Sequence, residues 1–334
     1  MSTPWIWLLW ACAGPKPDDT AAETGDSGPV VPGYSILADE IGEGVLLSAW
    51  TAGDDLLAVG GALGGDGPGV MARWNGETLC TETLVEDAAL WWIHGPSDSE
   101  WWAVGEHGTV VHSVDGVVAR DDVATDMTLF GVWDDGGDTW VVGGDVDEGT
   151  GGIWKAGEDG WEQALATDEG VVFKVWDRWF VGDHVAWLLD DAGVFQPFPT
   201  GERMLTVRGS ATDEVYAVGG TGGSAARKWT GSAWQELDTA GLSAPLNGVW
   251  TAPGENVWVA GMVGVQGFSD DGGTTWKIPD FPLTVHHFHA VWKHGDAFLF
   301  LGGNLMSAAG PWFGTIGRWG MPQGAVTASE CPGN

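Results

Sequence analysis

The sequence predicts an all-β fold, a seven-bladed β-propeller of four-stranded antiparallel blades, and three observations carry that expectation. A short apolar motif recurs seven times from residue 46 onward at intervals of 32 to 44 residues, the period of a propeller blade. Each copy holds four short stretches joined by glycine-rich turns, the pattern of a small antiparallel sheet. The composition agrees, since 55 Gly and 24 Trp among 334 residues suit tight turns between aromatic-rich strands.

Before the repeats begin, the chain has a different character. The apolar run WIWLLWA, residues 5 to 11, is far shorter than the roughly 20 residues a membrane span needs, and matches the core of a signal segment. LWAC, Leu9 to Cys12, resembles the bacterial lipobox, which implies an acylated Cys12 and a signal segment over residues 1–12. It departs from that motif in the bulk of Trp10 and in having no Lys or Arg ahead of the apolar run. Ordinary secretion with a free Cys12, or a cytoplasmic protein with an apolar N-terminus, stays open. Residues 13–34 are rich in Pro, Gly, Thr and acids with little to bury, and read as a disordered tether. Such a tether after an acylated cysteine resembles those of surface lipoproteins of Gram-negative bacteria.

The propeller is expected over residues 35–328, with a tail at 329–334. Aligning LSAW, WWIH, FGVW, FKVW, TVRG, NGVW and HAVW places Trp50, His94, Trp133, Trp176, Arg208, Trp250 and Trp292 in equivalent positions of seven first strands. A second stretch ending in small residues follows, as in LLAVGG, WWAVGE and VYAVGG, with the fourth repeat irregular. Third stretches such as GTVVHSVDG and short polar fourth ones such as WQEL complete each unit. A four-stranded sheet alone leaves both apolar faces wet, whereas seven arranged radially bury each face against a neighbour. The last repeat has a weak fourth stretch. SILADEI, residues 35 to 41, is expected to supply that strand and latch the ring, with GAVTAS near the C-terminus as the alternative.

Setting Cys12 aside leaves Cys80 and Cys331, an even pair in an oxidising compartment, and a bond between them would tie the tail to the first repeat. Two free thiols are the alternative.

SDDGGTTW, residues 269 to 276, matches the Asp-box turn Ser-x-Asp-x-Gly-x-Thr-Trp. Asp271 is expected to accept hydrogen bonds from its own turn, Gly273 to take a positive φ and Trp276 to pack between sheets. With the partial relatives SVDG (113 to 116) and AGEDGW (156 to 161), the repeats resemble Asp-box and photosystem II assembly-factor-like propellers. The resemblance covers the folded part of the chain and implies architecture. A sialidase would need an arginine triad, a Tyr nucleophile with a Glu, and an Asp acid/base. This chain has seven scattered Arg and two Tyr, Tyr34 at the end of the tether and Tyr216 in a packed second strand.

No other catalytic constellation stands out. GDSG, residues 25 to 28, falls in the tether, and nucleophile-elbow, phosphate-loop and zinc-protease motifs are missing from the sequence. Two features could hold a ligand. VHHFHAVWKH groups His286, His287, His289 and His294; His287 and His289, two apart on a strand, would face one side and could share a transition metal, or else bond around a water-filled axis. GGDVDEGTGG carries Asp145, Asp147 and Glu148, hard oxygens suited to Ca2+, although a solvated acidic turn explains them equally. Both belong to the end of the ring where the chain reaches the first strands. Trp91, Trp176 and Trp179 are candidates for stacking on sugar or peptide.

A formal charge of −34 repels phosphate backbones and anionic lipid, so nucleic acid is excluded as a partner and membrane contact is confined to an N-terminal lipid. The function expected is a non-catalytic, membrane-tethered scaffold at the bacterial cell envelope. It would act as a monomer anchored to the outer membrane, or secreted or periplasmic, binding an envelope protein or a surface glycan or peptide with no required cofactor. The alternative is an exported hydrolase or metal-dependent enzyme with its site at the loop-rich mouth.

Overall fold

A computed structural model describes residues 30–42, 44–65 and 67–332, and shows seven antiparallel sheets around one axis. The innermost strands of blades 1 to 7 are Val45–Ala52, Leu90–Ser97, Thr128–Asp134, Val172–Trp176, Met204–Ala211, Leu246–Trp250 and His287–His294. Each packs against the innermost strand on either side, and the seventh meets the first, so the circle closes. The expected architecture and blade number are both present. Cys12 and residues 13–29 lie outside the described residues.

Burial explains why the sheets gather. The second strands, such as Asp55–Gly61 and Ala297–Gly303, are buried almost end to end. Separate apolar clusters fill the interfaces between consecutive blades: Leu57, Val59, Ile93 and Ala103 between blades 1 and 2, and Tyr216, Val218, Leu246 and Val259 between blades 5 and 6. A cluster around Trp258, Phe298, Phe300, Leu46 and Leu37 binds blades 6, 7 and 1. Stability is therefore distributed as nearest-neighbour terms, each blade contributing half of two interfaces.

One local device repeats in all seven blades and explains the small residues after each second stretch. The register of the first strand against the second slips at Leu47, Trp91, Phe130, Phe173, Leu205, Asn247 and His289, one β-bulge per blade at the same position. The bulge drives the first strand's backbone onto the end of the second. A Cβ at Gly60 would lie 1.7 Å from the Val45 carbonyl oxygen, and one at Gly302 would lie 1.8 Å from that of His287. Only glycine fits there.

Two sheets depart from four strands, blade 6 with three and blade 1 with a fifth from the C-terminal tail. Those of blade 6 are Leu246–Trp250, Val257–Gly261 and Gln266–Ser269, with a bridge from Phe268 to Lys277 in place of a fourth. The turn 269–276 occupies that gap. Asp271 accepts hydrogen bonds from the Thr275 hydroxyl and amide, the Ser269 hydroxyl and the Thr274 amide, which together hold its carboxyl down to about 2. Gly273 has φ +91°, and the Trp276 indole donates to the Asp238 carbonyl at 2.8 Å. Every role expected for this turn is structural, and the geometry agrees.

Blade 7 takes its outer strand from the other end of the chain. Gly33–Ile41 pairs antiparallel with Gly314–Gly320, with Leu37, Ala38 and Ile41 buried. The strand starts early enough to include Tyr34, which packs on Phe300 and donates to the Lys277 carbonyl at 3.1 Å. Tyr34 is thus part of the sheet and not of a tether. The C-terminal segment does not supply that strand; it reaches the seam elsewhere, the Val326 amide donating to the Leu37 carbonyl, Ser329–Glu330 running parallel to Leu79–Val85 of blade 1, and Cys331 bonded to Cys80. The ring closes twice, once by backbone pairing and once covalently.

Candidate functional site

The repeated bulge decides what fills the axis. Displaced from the ladder, the bulge residues meet one another at the mouth where the first strands begin, here called the leading mouth. Trp91 lies edge-on to Phe130 at 5.0 Å and to His289 at 5.7 Å, and Phe130 contacts Phe173 at 5.3 Å. Asn247 Nδ2 donates to the Phe288 carbonyl at 2.8 Å, and His289 Nδ1 donates to the Leu47 carbonyl at 2.6 Å. At this mouth the axis is lined by the aromatic side chains of Trp91, Phe130 and Phe173 together with His289.

Beneath this layer sits Lys174, 2% exposed. Its Nζ donates to the Phe130 carbonyl and lies 4.2 Å from the Trp92 ring centroid. Burial holds its pKa well below the usual lysine range. The same burial, with the Lys174 charge nearby, holds the His289 imidazole down to about 3. His289 stays neutral while an unfolded histidine protonates near 6.5, so the unfolded chain binds more protons between those values. Stability is therefore complete above pH 6.5 and falls as pH drops through the window. His289→Gln is expected to recover on the order of 3 kcal/mol at pH 4. Urea unfolding of both proteins from pH 7 to 4 measures it, and parallel profiles would sink the assignment.

The seven aligned positions form a second ring at the other, trailing mouth. Trp50 contacts His94 at 4.5 Å and Trp292 at 5.6 Å; His94 stacks on Trp133 at 4.0 Å, and Trp133 meets Trp176 at 6.0 Å. Arg208 completes the circle, its guanidinium 4.8 Å from the Trp292 ring and 5.9 Å from the Trp250 ring. Burial pushes its pKa down to about 10, and its charge, after burial itself, helps keep His94 neutral. The indole N–H groups of Trp50, Trp133 and Trp250 have no acceptor among the described residues. The ring is tightly packed: His94, Trp250 and Trp292 are buried, the unpaired indole N–H groups are buried with them, and Trp50, Trp133, Trp176 and Arg208 are half-buried.

The histidine cluster does not assemble. Two residues apart on a regular strand, His287 and His289 would share a side, but the bulge at His289 breaks the alternation. His287 Nδ1 accepts from the Val263 amide at 2.9 Å on blade 6, whereas His289 turns toward blade 1. His286 lies 3.0 Å from Thr315 Oγ1 and 3.3 Å from Asp39, and His294 lies 2.8 Å from the Asp54 carbonyl at the trailing end. In the acidic loop, Asp145 Oδ1 accepts from the amides of Asp147 and Glu148 at 2.9 and 3.0 Å, closing its own turn. Among the described residues, no three His, Cys, Asp or Glu side chains are placed to hold a metal ion.

Of the three stacking candidates, Trp91 and Trp176 line the two mouths, whereas Trp179 is core, packed on Trp229 at 4.6 Å. Tyr216 donates to Glu214 at 3.2 Å but is 1% exposed and away from the axis. The arginines are dispersed: Arg203 pairs with Asp183, Arg178 with Asp191 and Arg120 with Asp87 and Asp122. Sequence reasoning singled out Trp91 and His289 but missed the other five bulge residues and Lys174 as axis groups. The signal was present in the glycine that ends every second stretch.

No family model and no curated protein matches the chain. Among solved structures it is similar to YCF48 bound to D1 peptide, at 16% identity over 86% of this chain and 96% of that one, with a TM-score of 0.63. YCF48 from Cyanidioschyzon merolae aligns at 15% identity over 86% and 98% of the two chains, TM-score 0.61. Virginiamycin B lyase from Staphylococcus aureus aligns at 12% identity over 87% and 100%, TM-score 0.68. At these identities the likeness is one of fold.

Proposed function

We propose that the protein is a non-catalytic scaffold of the bacterial cell envelope, tethered through a lipid on Cys12, that binds a segment of another envelope protein. The observation that carries this reading is the ring of five Trp, His94 and Arg208 at the trailing mouth. Aromatic and arginine side chains held on seven mutually braced strands form an anchor surface with little conformational entropy left to lose on binding. The similarity to a propeller whose structure contains a D1 peptide is in keeping with a protein ligand.

Two measurements test it in a Gram-negative host. Mass spectrometry is expected to find acyl chains on Cys12, and Cys12→Ser to release the protein from the membrane fraction. A photo-crosslinking residue at position 176 is expected to trap one envelope protein, whereas the same residue at the exposed Val117 on the outer edge of blade 2 traps none. Equal trapping at both positions would defeat the recognition role, and an unmodified Cys12 would defeat the tether.

A further inference from the structure

Arg208 has no ion-pair partner among the described residues. Its Nε lies at the limit of hydrogen bonding, 3.5 Å from the Thr251 carbonyl, and its ring contacts are Trp250 and Trp292. Burial alone accounts for its depressed pKa, with no contribution from any acid. The small cavity beside it is lined by Trp92, Trp133, Trp176, Thr206 and Trp292 and by no carboxylate. A half-buried guanidinium with no counter-charge beside it calls for an acceptor that brings negative charge.

Trp133 is also a wall of a second space, an open groove between blades 3 and 4, and this one has the opposite sign. It is lined by Asp135, Asp138, Asp177 and Asp190 with Arg178. Arg178 is neutralised by Asp191, and Asp138 by Lys155 at 2.7 Å, while Asp135 and Asp177 have no ion pair among the described residues. Burial raises the Asp177 pKa, the amide and charge of Arg178 partly offset this, and the Asp135 charge adds a smaller rise. Each of the seven hairpins leaving the axis at this end also carries an acid, from Asp54 in blade 1 to Asp296 in blade 7. A free anion is repelled by that rim; a ligand with a cationic group beside its carboxylate is drawn in.

We propose that the trailing mouth and the adjoining groove form one two-point site for a dipolar peptide segment, its carboxylate paired with Arg208 and its basic side chain held by Asp135 and Asp177. The aromatic ring supplies the apolar contact between the two charges. This deepens the scaffold reading and rests on it for the identity of the ligand as a protein segment.

The test uses the purified full-length protein and tryptophan fluorescence titrated with acetyl-Asp-Gly-Lys-amide, beside the Asn-Gly-Lys and Asp-Gly-norleucine analogues and free acetate. A saturable change is expected with the first peptide, weakened about tenfold or more by either neutral replacement. Arg208→Met is expected to abolish the preference for Asp over Asn while leaving the Lys preference, and Asp177→Asn the reverse. Raising salt from 50 to 500 mM weakens the parent peptide most. Equal binding of the Asp and Asn peptides by the unmodified protein would overturn the role of Arg208 without recourse to any variant. Acetate binding as tightly as the peptide would overturn the two-point site, and no saturable change with any probe would remove it altogether. Peptide binding without cross-linking from position 176 in cells fails the scaffold reading alone; the reverse fails this one.

Discussion

Deleting residues 30 to 41 is expected to abolish cooperative folding, whereas Cys80→Ser leaves a folded but weaker ring. The deletion strips the outer strand from blade 7 and removes Leu37 and Ile41, 1% and 3% exposed, from the cluster joining blades 6, 7 and 1. Each large aliphatic side chain is worth about 2 kcal/mol on burial, and the unpaired edge of Gly314–Gly320 adds to the loss. Against a typical total of about 5–15 kcal/mol, little is left. Loss of the Cys80–Cys331 bond removes a covalent constraint spanning 251 residues but keeps the strand pairing, a cost of about 2–5 kcal/mol. Urea titration by tryptophan fluorescence separates the outcomes. A deletion variant with the midpoint of the full chain would show that the pairing of Gly33–Ile41 does not close the ring.

Trp258→Ala is expected to cost about 3–5 kcal/mol, as large aromatic deletions in a packed core do. Trp258 is 1% exposed and lies between Phe298, stacked at 3.8 Å, and Phe268 at 4.5 Å, with Trp319 at 5.0 Å. A close-packed interior relaxes only in part around such a space. Phe281, 80% exposed on the loop leading to blade 7, is the control, and its change to Ala should stay within about 0.5 kcal/mol. A loss below about 1 kcal/mol for Trp258→Ala would mean that the joint between blades 6 and 7 is not where stability resides.

The two ends of the axis differ in what they can recognise. At the leading mouth Lys174 and His289 are spent on carbonyls of neighbouring blades, which braces the ring but leaves little for a ligand. At the trailing mouth Arg208 and the unpaired indoles are not so used. The sequence placed its ligand candidates, His286, His287, His289, Asp145, Asp147 and Glu148, at the leading end. The structure gives each histidine a separate partner and turns Asp145 into a cap for its own loop. The aligned residues at the other end were legible only as repeat markers.

What the sequence determined by itself was everything periodic: seven units, the order of the first three strands within each, the equivalence of Trp50 with its six counterparts, and residues 35–41 as an orphan strand near a blade that lacked one. Those features follow from local rules, alternation and turn chemistry, acting on about 40 residues at a time. Only the tertiary structure decided which side chains face each other across the axis. A one-residue bulge reverses the side to which every later residue points, and no alternation pattern announces it. It also decided that both termini serve the seam, since Val326 and Cys331 find Leu37 and Cys80 only once the circle has closed.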